Sequence, residues 1–344
     1  MTTTTSIATH YEQFLELLTR DPRAAADGRD TVRARYGERV DPAGGSQPVV
    51  LTRDEWILNQ IDLALALGRL LTEDDVVVSA VPYELSFIGA EVDRVIEMVG
   101  ASVISVGTSR TICPMPRLLG LIEQYEVTAL VCSPSFAAEL ASLALSLGRR
   151  PEDSTVRTIV CVGEACSTGR LDRIGAAWAA KTSALYGTPS TPTVAVACDH
   201  GALHLCDHRL RAEVRGAPRG ELLLDGSPTG ELVELWPAGR RCDCGSASRV
   251  LVPLGSAASA VRGPDGLVSV LDVERVVFGH RRLAPHFACA VRDGTFHVTC
   301  AVAGPQTVDE GAMRRAIRSG IDEALGVEAE VTVVGVQDWS TATS

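Results

Sequence analysis

Residues 127–150 read VTALVCSPSFAAELASLALSLGRR, and this stretch contains the repeating unit of the predicted fold. A continuous apolar strand, VTALVCSPS (127–135), is followed by a helix that ends at Gly148. The same order recurs on both sides, with further strands predicted at 49–52, 76–83, 101–107, 155–165 and 182–187. Because these strands are apolar throughout rather than alternating, they indicate a parallel sheet that helices cover on both faces.

The second half of the sequence has a different pattern. Six shorter runs between residues 193 and 255 are separated by turn signals and predict antiparallel strands: TVAVAC, ALHLC, AEVRG, GELLLDG, TGELVELW and RVLVPLG. GSAASAVRGPDG (255–266) is typical of a linker, and a small α+β region with a hairpin at Arg292–Gly294 follows it.

The prediction is therefore an α/β fold with three parts. A helical N-terminal segment (1–48) precedes a large layered domain (49–255), which has a mostly parallel sheet and a β-rich subdomain. A small α+β C-terminal domain (256–344) completes the chain. Such an arrangement of layers buries one apolar face of each element against the next.

The N-terminal part carries three local signals. Residues 6–38 predict one or two short amphipathic helices, and Thr52 with Glu55 forms a capping-box pattern at the start of another helix. GGSQP (44–48) has two interpretations, a phosphate-binding loop or a plain turn. It contains no lysine and no Gly-Lys-Ser/Thr ending, which favours the turn.

Composition excludes several classes of partner. The chain is 46% hydrophobic and 22% charged, with a formal net charge of −11 and no block of Lys or Arg, which argues against nucleic acids and acidic membranes. Residues 1–20 are polar and contain acids, unlike a signal peptide, and no apolar run is long enough to span a bilayer. The ten cysteines lack the spacing of a disulfide scaffold, so we expect reduced thiols in a cytoplasmic protein.

Turn and polar residues lie where the predicted parallel strands end. Ligands of open α/β sheets bind beyond the carboxyl ends of the strands, so these residues predict a pocket rim, although turn residues also occupy strand ends for structural reasons. The predicted lining consists of Tyr83, Phe87, Ser135, Phe136, Gly163, Glu164, Ala165, Tyr186 and Gly187, with Tyr186 and Gly187 forming a turn.

Two residues near this rim have reactive side chains. Glu164 could orient a substrate or act as a base, or it could simply place a negative charge at a helix N-terminus. Cys166 begins a helix, where the pKa of a thiol can fall, although a buried and inert cysteine is the commoner case.

Two pairs of metal-ligand residues lie in the antiparallel region. Cys198 and His204 belong to one predicted hairpin, and Cys242 and Cys244 to another. Thiolate and imidazole ligands at short spacings, brought together from two hairpins, indicate a closed tetrahedral zinc site with a structural role, since four ligands leave no position for water. A free cysteine is also often a small buried hydrophobe, and the ligand choice stays open. The same segment also holds Cys206, His200 and His208.

Several of these motifs occur in the order of a known family. VCSPSFAAEL, VCVGEACSTGRLDRI, LYG, the Cys-x5-His spacing around DHGALHL, RAEV, GELV and Cys-x-Cys-Gly together resemble the phenylacetate–CoA ligase branch of the adenylate-forming enzymes, the acyl-CoA synthetase superfamily. LAPHFACAVRDG and AEVTVV are similar to the start and end of that family's small C-terminal domain, so the resemblance covers residues 49–335. It implies a large region that binds ATP and a carboxylic acid, and a mobile C-terminal lid. Some members carry zinc on the residues that match Cys198, His204, Cys242 and Cys244.

The sequence departs from the family's pattern where the family binds ATP. The position of the phosphate loop reads GGSQPVV, without lysine. The glutamate that helps to hold magnesium falls on Ser190 or Thr191. The Tyr-Arg-x-Gly-Asp segment, whose aspartate binds the ribose hydroxyls, is missing between Leu235 and Cys242.

Two further departures concern the lid. The paired hinge acids of the family fall near Ala257 and Ala258, and the sequence stops near Trp339, before the Gly-Lys segment of the lid. Acyl adenylation needs cations on a phosphate-rich transition state, and the loss of one such group typically costs about 10²–10³ in rate. We therefore expect ordinary ATP-dependent adenylation to be impaired or altered.

The expected function is that of a divergent acid–CoA ligase-like protein of bacterial specialised metabolism. It would bind a small, aryl carboxylic acid or its activated acyl form, with structural zinc. ATP with magnesium and CoA stay open as cofactors, and the missing groups weigh against ordinary use of ATP. Glu164 and Ser190 are the candidate catalytic residues. The alternatives are a non-catalytic binding or scaffold descendant of the ligase fold, and a subunit that a partner chain or a second copy completes.

Overall fold

The computed structural model of the chain describes residues 33–40, 46–189, 191–207, 210–216, 218–237, 239–303 and 309–343. Its helices are α1 (Arg53–Leu67), α2 (Ile88–Val99), α3 (Met115–Gln124), α4 (Pro134–Ser146), α5 (Thr168–Trp178), α6 (Val270–Phe278), α7 (Glu310–Leu325) and α8 (Trp339–Ala342). Its first nine strands are β1 (Arg33–Val40), β2 (Ser46–Thr52), β3 (Val76–Ala80), β4 (Ser102–Ser105), β5 (Ala129–Cys132), β6 (Thr158–Cys161), β7 (Lys181–Thr188), β8 (Thr191–Ala197) and β9 (Leu203–Leu205). The remaining strands are β10 (Ala212–Arg215), β11 (Arg219–Leu224), β12 (Ser227–Leu235), β13 (Val250–Ser256), β14 (Val261–Gly263), β15 (Gly266–Val268), β16 (Leu283–Arg292), β17 (Thr295–Val302) and β18 (Ala329–Gly335).

Five parallel strands, in the order β7-β6-β5-β3-β4, form the core of the fold. Successive residues of these strands belong to different hydrophobic clusters. Leu130 packs with residues of α3, α4 and α5 on one face, and Val131 with residues of α1 and α2 on the other. Both faces are covered, which explains the continuous apolar runs of the sequence and confirms the predicted α/β fold.

Strand β7 joins the parallel and antiparallel parts into one sheet of eleven strands. Its first half pairs parallel with β6, and its second half pairs antiparallel with β8. The predicted antiparallel strands are present, and they continue the same sheet. Tyr186 and Gly187 lie inside β7, so the predicted turn at these residues is wrong; a bulge separates Tyr186 from Thr188 instead.

The first described segment is a hairpin of β1 and β2. The sequence predicts helix as far as residue 38, but Arg33–Val40 form a strand because RARYGERV pairs antiparallel with SQPVVLT, with one irregularity between Arg33 and Arg35. Residues 6–32 of that predicted segment, and residues 44–45 of the predicted turn, lie outside the described residues. The capping box of α1 is confirmed: the Thr52 N–H donates to Glu55 Oε2 over 2.8 Å, and the Glu55 N–H donates to Thr52 Oγ1.

The C-terminal region has its own sheet, β16-β17-β18, and its own hydrophobic cluster with α6 and α7. The predicted hairpin is confirmed, with Asp293 and Gly294 both at positive φ between β16 and β17. The predicted linker contains a short hairpin, β14–β15, whose strands pair around Pro264 and Asp265. No helix in the described part of the chain is both long and apolar enough to cross a bilayer.

Candidate metal centre and carboxyl-end rim

Cys198, His204, Cys242 and Cys244 come together although they lie far apart in sequence. Cys198 follows β8, His204 lies in β9, and the other two lie in the loop between β12 and β13. One ligand atom from each of the four falls within 4.8 Å of all the others. The sequence prediction of a four-residue cluster is thus confirmed in its geometry.

The sulfur–sulfur distance within the cluster matches that of a tetrahedral zinc site. Cys198 Sγ lies 3.8 Å from Cys242 Sγ, and Cys244 Sγ lies 3.2 Å from His204 Nε2. Sulfur ligands about 2.3 Å from one tetrahedral zinc ion are about 3.8 Å from each other. The residues present therefore fit this metal in ligand type and in grouping.

Hydrogen bonds around the cluster favour metal binding. The His204 Nδ1 lies 3.0 Å from the Ser248 carbonyl oxygen, and an N–H donated there leaves Nε2 as the ligand atom. The Cys244 backbone N–H lowers the pKa of Cys242 to about 7, and the Ser246 N–H donates to Cys244 Sγ. These bonds stabilise thiolates, the form that binds zinc.

At the carboxyl ends of β5 and β6, two predicted rim residues contact each other. The Ser135 backbone N–H and Oγ–H both donate to Glu164, over 3.2 and 2.9 Å. Ser135 lies in the first turn of α4, which Ser133 caps through the N–H of Phe136. Glu164 is thus the negative charge at a helix N-terminus, the structural alternative considered for it.

Glu164 is also ion-paired, which leaves little of it for acid–base chemistry. Its Oε1 lies 2.6 Å from Nη1 of Arg170, a side chain only 2% exposed. Sequence inspection missed Arg170 because a single arginine in the first turn of a helix gives no sign that it is buried. Ser190, the other candidate catalytic residue, lies outside the described residues.

Tyr83 and Phe87 lie in the segment between β3 and α2. The Tyr83 hydroxyl donates to Asp93 Oδ2 over 2.7 Å and lies 3.1 Å from Ser79 Oγ. Phe87 is buried, and its ring packs against Gly37 of the β1–β2 hairpin. Tyr83 is half-buried, whereas Phe87 is covered by this hairpin.

Tyr186 is buried within the antiparallel part of the sheet. It packs with residues such as Val194 and Leu222, and its hydroxyl has no hydrogen-bond partner among the described residues. Burial is the main cause that raises the pKa of this hydroxyl, and the nearby negative charge of Glu231 is the second. Gly187 is required beside it, because a Cβ there would lie 2.1 Å from the Pro192 carbonyl oxygen.

Three thiols lie below the rim. Cys132 and Cys161 are register partners on β5 and β6, and Cys166 packs against the same cluster. Burial raises the pKa of Cys132 to about 12 and also raises those of Cys161 and Cys166. The interpretation of Cys166 as an activated thiol is therefore wrong, since burial outweighs any effect of the helix N-terminus on its pKa. The alternative of a buried and inert cysteine fits.

The sequence contains one lysine, Lys181, and the fold places it away from the rim. Lys181 is the first residue of β7 and pairs in register with Thr158, the first residue of β6. It therefore lies at the amino ends of the parallel strands. The rim residues Ser135 and Glu164 follow the carboxyl ends of the same sheet.

Comparison with known proteins gives structural matches only. No family model matches the sequence, and no curated protein matches it either. The structure of 2-hydroxyisobutyryl-CoA ligase in the postadenylation state superposes with a TM-score of 0.73 at 14% identity, over 91% of this chain and 74% of that one. The chain has the adenylate-forming ligase fold.

Two further proteins with this ligase fold are similar. The amide bond synthetase McbA from Marinactinospora thermotolerans gives a TM-score of 0.60 at 16% identity, over 87% of this chain and 65% of that one. O-succinylbenzoate coenzyme A synthetase from Bacillus subtilis, in complex with AMP, gives 0.58 at 16% identity, over 89% and 66%. These matches show the superfamily fold and do not single out the phenylacetate–CoA ligase branch.

The arrangement of the two regions follows one state of the first ligase. Against its thioesterification state the TM-score falls to 0.58, and against its open conformation it is 0.60. The described part of the chain is therefore more similar in overall arrangement to the postadenylation structure than to the other two.

Proposed function

We propose that this chain is a divergent acid–CoA ligase-like protein that binds a small carboxylic acid, or its activated acyl form, at the carboxyl-end rim. The ligase fold over 91% of the chain supports the ligand class. The sequence motifs support the finer proposals: the phenylacetate–CoA ligase branch, an aryl acid, a cytoplasmic location and a role in bacterial specialised metabolism. The proposed domain division is 49–255 and 256–344, which the separate C-terminal core supports.

The position of Lys181 is the observation that supports altered adenylation chemistry. Transfer of AMP to a carboxylate develops charge on phosphate oxygens, which lysine and magnesium stabilise in preorganised sites. Lys181 is at the opposite end of the sheet, and the rim residue Arg170 is buried and bonded to protein groups. We propose that adenylation by this chain alone is impaired, so that ATP with magnesium is not its usual ligand, and that CoA stays open as a ligand.

The proposed role of the metal centre is structural. Cys198, His204, Cys242 and Cys244 would hold one zinc ion, which would join the loop before β13 to strands β8 and β9. When bound, the metal contributes folding free energy by tying this loop to the sheet. Four protein ligands leave it no open position for catalysis.

The experiment is a binding and exchange assay on the full chain. Thermal shifts with benzoate, phenylacetate, hexanoate, ATP-Mg and phenylacetyl-CoA would show which ligand class binds. We expect stabilisation by an aryl acid or its acyl thioester, and ATP–pyrophosphate exchange at the background rate. Rapid exchange with any acid would refute the impaired adenylation, and no shift with any acid or thioester would refute the proposed ligand class.

One observation favours a second candidate, a non-catalytic binding or scaffold protein. Glu164, the described candidate for acid–base chemistry, is held by Arg170 and by two donors of Ser135. These bonds occupy both carboxylate oxygens of Glu164, so little of the group is available to a substrate. Retained ligand binding without turnover of any activated acyl substrate would favour this function, or a subunit that a partner chain or a second copy completes.

A further inference from the structure

The C-terminal region packs closely on the rest of the chain, here called the body (residues 46–255). Its helix α6 and strand β16 contact α4, α5 and β13 of the body. Helices α5 and α6 approach at Gly169, where a Cβ would lie 3.1 Å from the Cβ of Phe278. The close approach leaves no room for a layer of water between these two helices.

Arg170 of α5 lies at the centre of this junction. Its Nε donates to the Pro285 carbonyl oxygen over 2.9 Å, and its Nη2 donates to Ser135 Oγ over 2.9 Å. Its Nη1 lies 2.6 Å from Glu164 Oε1 and 3.5 Å from Glu274 Oε2. One guanidinium thus bonds to two groups of the body and to two of the C-terminal region.

Glu274 of α6 completes the contact from the other side. Its side chain is 1% exposed, and its Oε1 accepts the backbone N–H of Ser167 over 2.6 Å. Ser167 is the N-cap of α5, so a carboxylate of the C-terminal region lies at the positive end of a body helix. A shift of α6 along α5 within the closed junction would leave Arg170 or Glu274 buried without its partner, which is strongly unfavourable.

A second ionic contact crosses the junction beside the first. Both Nη atoms of Arg219, from β11, donate to the carboxylate of Asp272 in α6. Arg275, one turn further along α6, donates to the Pro253 carbonyl oxygen of β13 over 2.7 Å. Because these bonds hold α6 to the body at further points beside Arg170, they oppose rotation of α6 on the body.

We propose that Arg170 and Glu274 lock residues 256–303 and 309–343 in one orientation on the body, so that this chain does not change between arrangements such as the postadenylation and thioesterification states of 2-hydroxyisobutyryl-CoA ligase. The lock is independent of any ligand. Its consequence rests on the proposed function: an acid or activated acyl ligand bound at the rim would meet one arrangement of the C-terminal region, so no rearranged transfer step follows binding.

Small-angle X-ray scattering of the unmodified full chain tests the lock directly. Profiles would be recorded alone, with ATP-Mg and phenylacetate, and with CoA. We expect profiles that superimpose and that fit the single arrangement described above. A profile that requires a second arrangement under any of these conditions overturns the proposal.

Hydrogen exchange of the Ser167 amide, which Glu274 covers, is the second measurement. With Arg170→Met this amide should exchange about 100-fold faster, because removal of one partner of a buried ion pair is strongly destabilising. Arg157→Gln is the matched control, since it also deprives a buried carboxylate, that of Asp75, of an arginine but lies within the body. In this control, the exchange rate of the Ser167 amide relative to the amides of β5 should be the same as in the unmodified chain.

Three outcomes decide the matter. Unchanged exchange at Ser167 in Arg170→Met overturns the lock. If that variant fails to fold, Glu274→Gln keeps the side-chain shape, and its Ser167 amide should still exchange faster than that of the unmodified chain; equal rates overturn the proposal. Rigid scattering combined with no ligand binding would refute the proposed function and leave the lock supported.

Discussion

Lys181 Nζ donates to Asp199 Oδ1 over 2.6 Å, at the amino end of β7. From this level to the end of β6 at Cys161, the parallel strands extend about 10 Å, and Glu164 lies beyond that. A lysine side chain cannot cover this distance along the sheet while it holds Asp199. The one lysine of the sequence therefore forms an exposed surface ion pair and does not reach the rim.

The first prediction concerns this ion pair. Lys181→Gln should leave the free energy of unfolding nearly unchanged, because both partners are exposed and surface ion pairs contribute little. Ligand binding at the rim should be unchanged. Urea unfolding and thermal shifts with phenylacetate check both, with Asp199→Asn as the matched control; a loss of ligand binding in Lys181→Gln alone would place the lysine in the site.

The second prediction concerns the metal centre. The chain purified without chelators should contain about one zinc per molecule, and Cys242→Ser should lose it together with several kcal/mol of stability. Elemental analysis and thermal unfolding with and without a chelator measure these quantities. The stability loss should be the same in the chelated protein and in the variant.

Cys206→Ser is the control for that prediction. Cys206 follows β9, close in sequence to His204, but is not one of the four clustered ligands. It should keep its zinc and respond to a chelator as the unmodified chain does. Zinc loss in Cys206→Ser, or a normal zinc content in Cys242→Ser, would show that the ligands are not those assigned.

The third prediction is a pH dependence of stability from His286. Burial, followed by the charge of Arg170, lowers the pKa of His286 to about 4, from 6.5 in an unperturbed histidine. His286 Nε2 lies 2.6 Å from Ser142 Oγ, and its ring packs on Trp339. The folded state holds the neutral ring, whereas the unfolded chain takes up a proton below pH 6.5. His286 therefore costs no stability above pH 6.5, and the free energy of unfolding falls as the pH decreases from 6.5 towards 4.

The size of this effect follows from the shift. Between pH 7.5 and pH 5, His286 should account for a loss of roughly 2 kcal/mol in the free energy of unfolding. Urea unfolding at both pH values, compared with His286→Gln, isolates this residue from the carboxylates, including Glu274, whose pKa burial raises. The same pH dependence in both proteins would assign the effect to other groups.

The parallel core of the fold could be predicted from the sequence because burial on both faces leaves a continuous apolar signal. Leu130 and Val131 are adjacent in sequence and point into opposite clusters, so no polar residue interrupts the strand. The sequence predicts helix in the first strand of the N-terminal hairpin, because these residues become a strand only through pairing with the second strand. Tyr36 opposes Val50 across it, and pairing between segments leaves no mark in either segment alone.

The candidate site was predictable to the extent that its residues are chemically unusual. Cys242 and Cys244 stand out as thiols one residue apart, and their approach to Cys198 follows from the antiparallel order of the strands. Arg170 and Glu274 did not stand out, because charged residues in helices are commonly on the surface. Only the docking of α6 on α5 removes both from water, and that contact joins positions more than 100 residues apart.

The last prediction compares two glycines with different surroundings. Gly187→Ala should destabilise the chain by about 3 kcal/mol, because its Cβ would overlap the Pro192 carbonyl oxygen and force β8 away from β7. Gly120→Ala, inside α3 with no atom within 4 Å of the added Cβ, should instead stabilise it by up to about 1 kcal/mol, since alanine is the better helix former. Urea unfolding of both variants beside the unmodified chain measures the difference, and equal stabilities would mean that the two strands are not held as close at Gly187 as described.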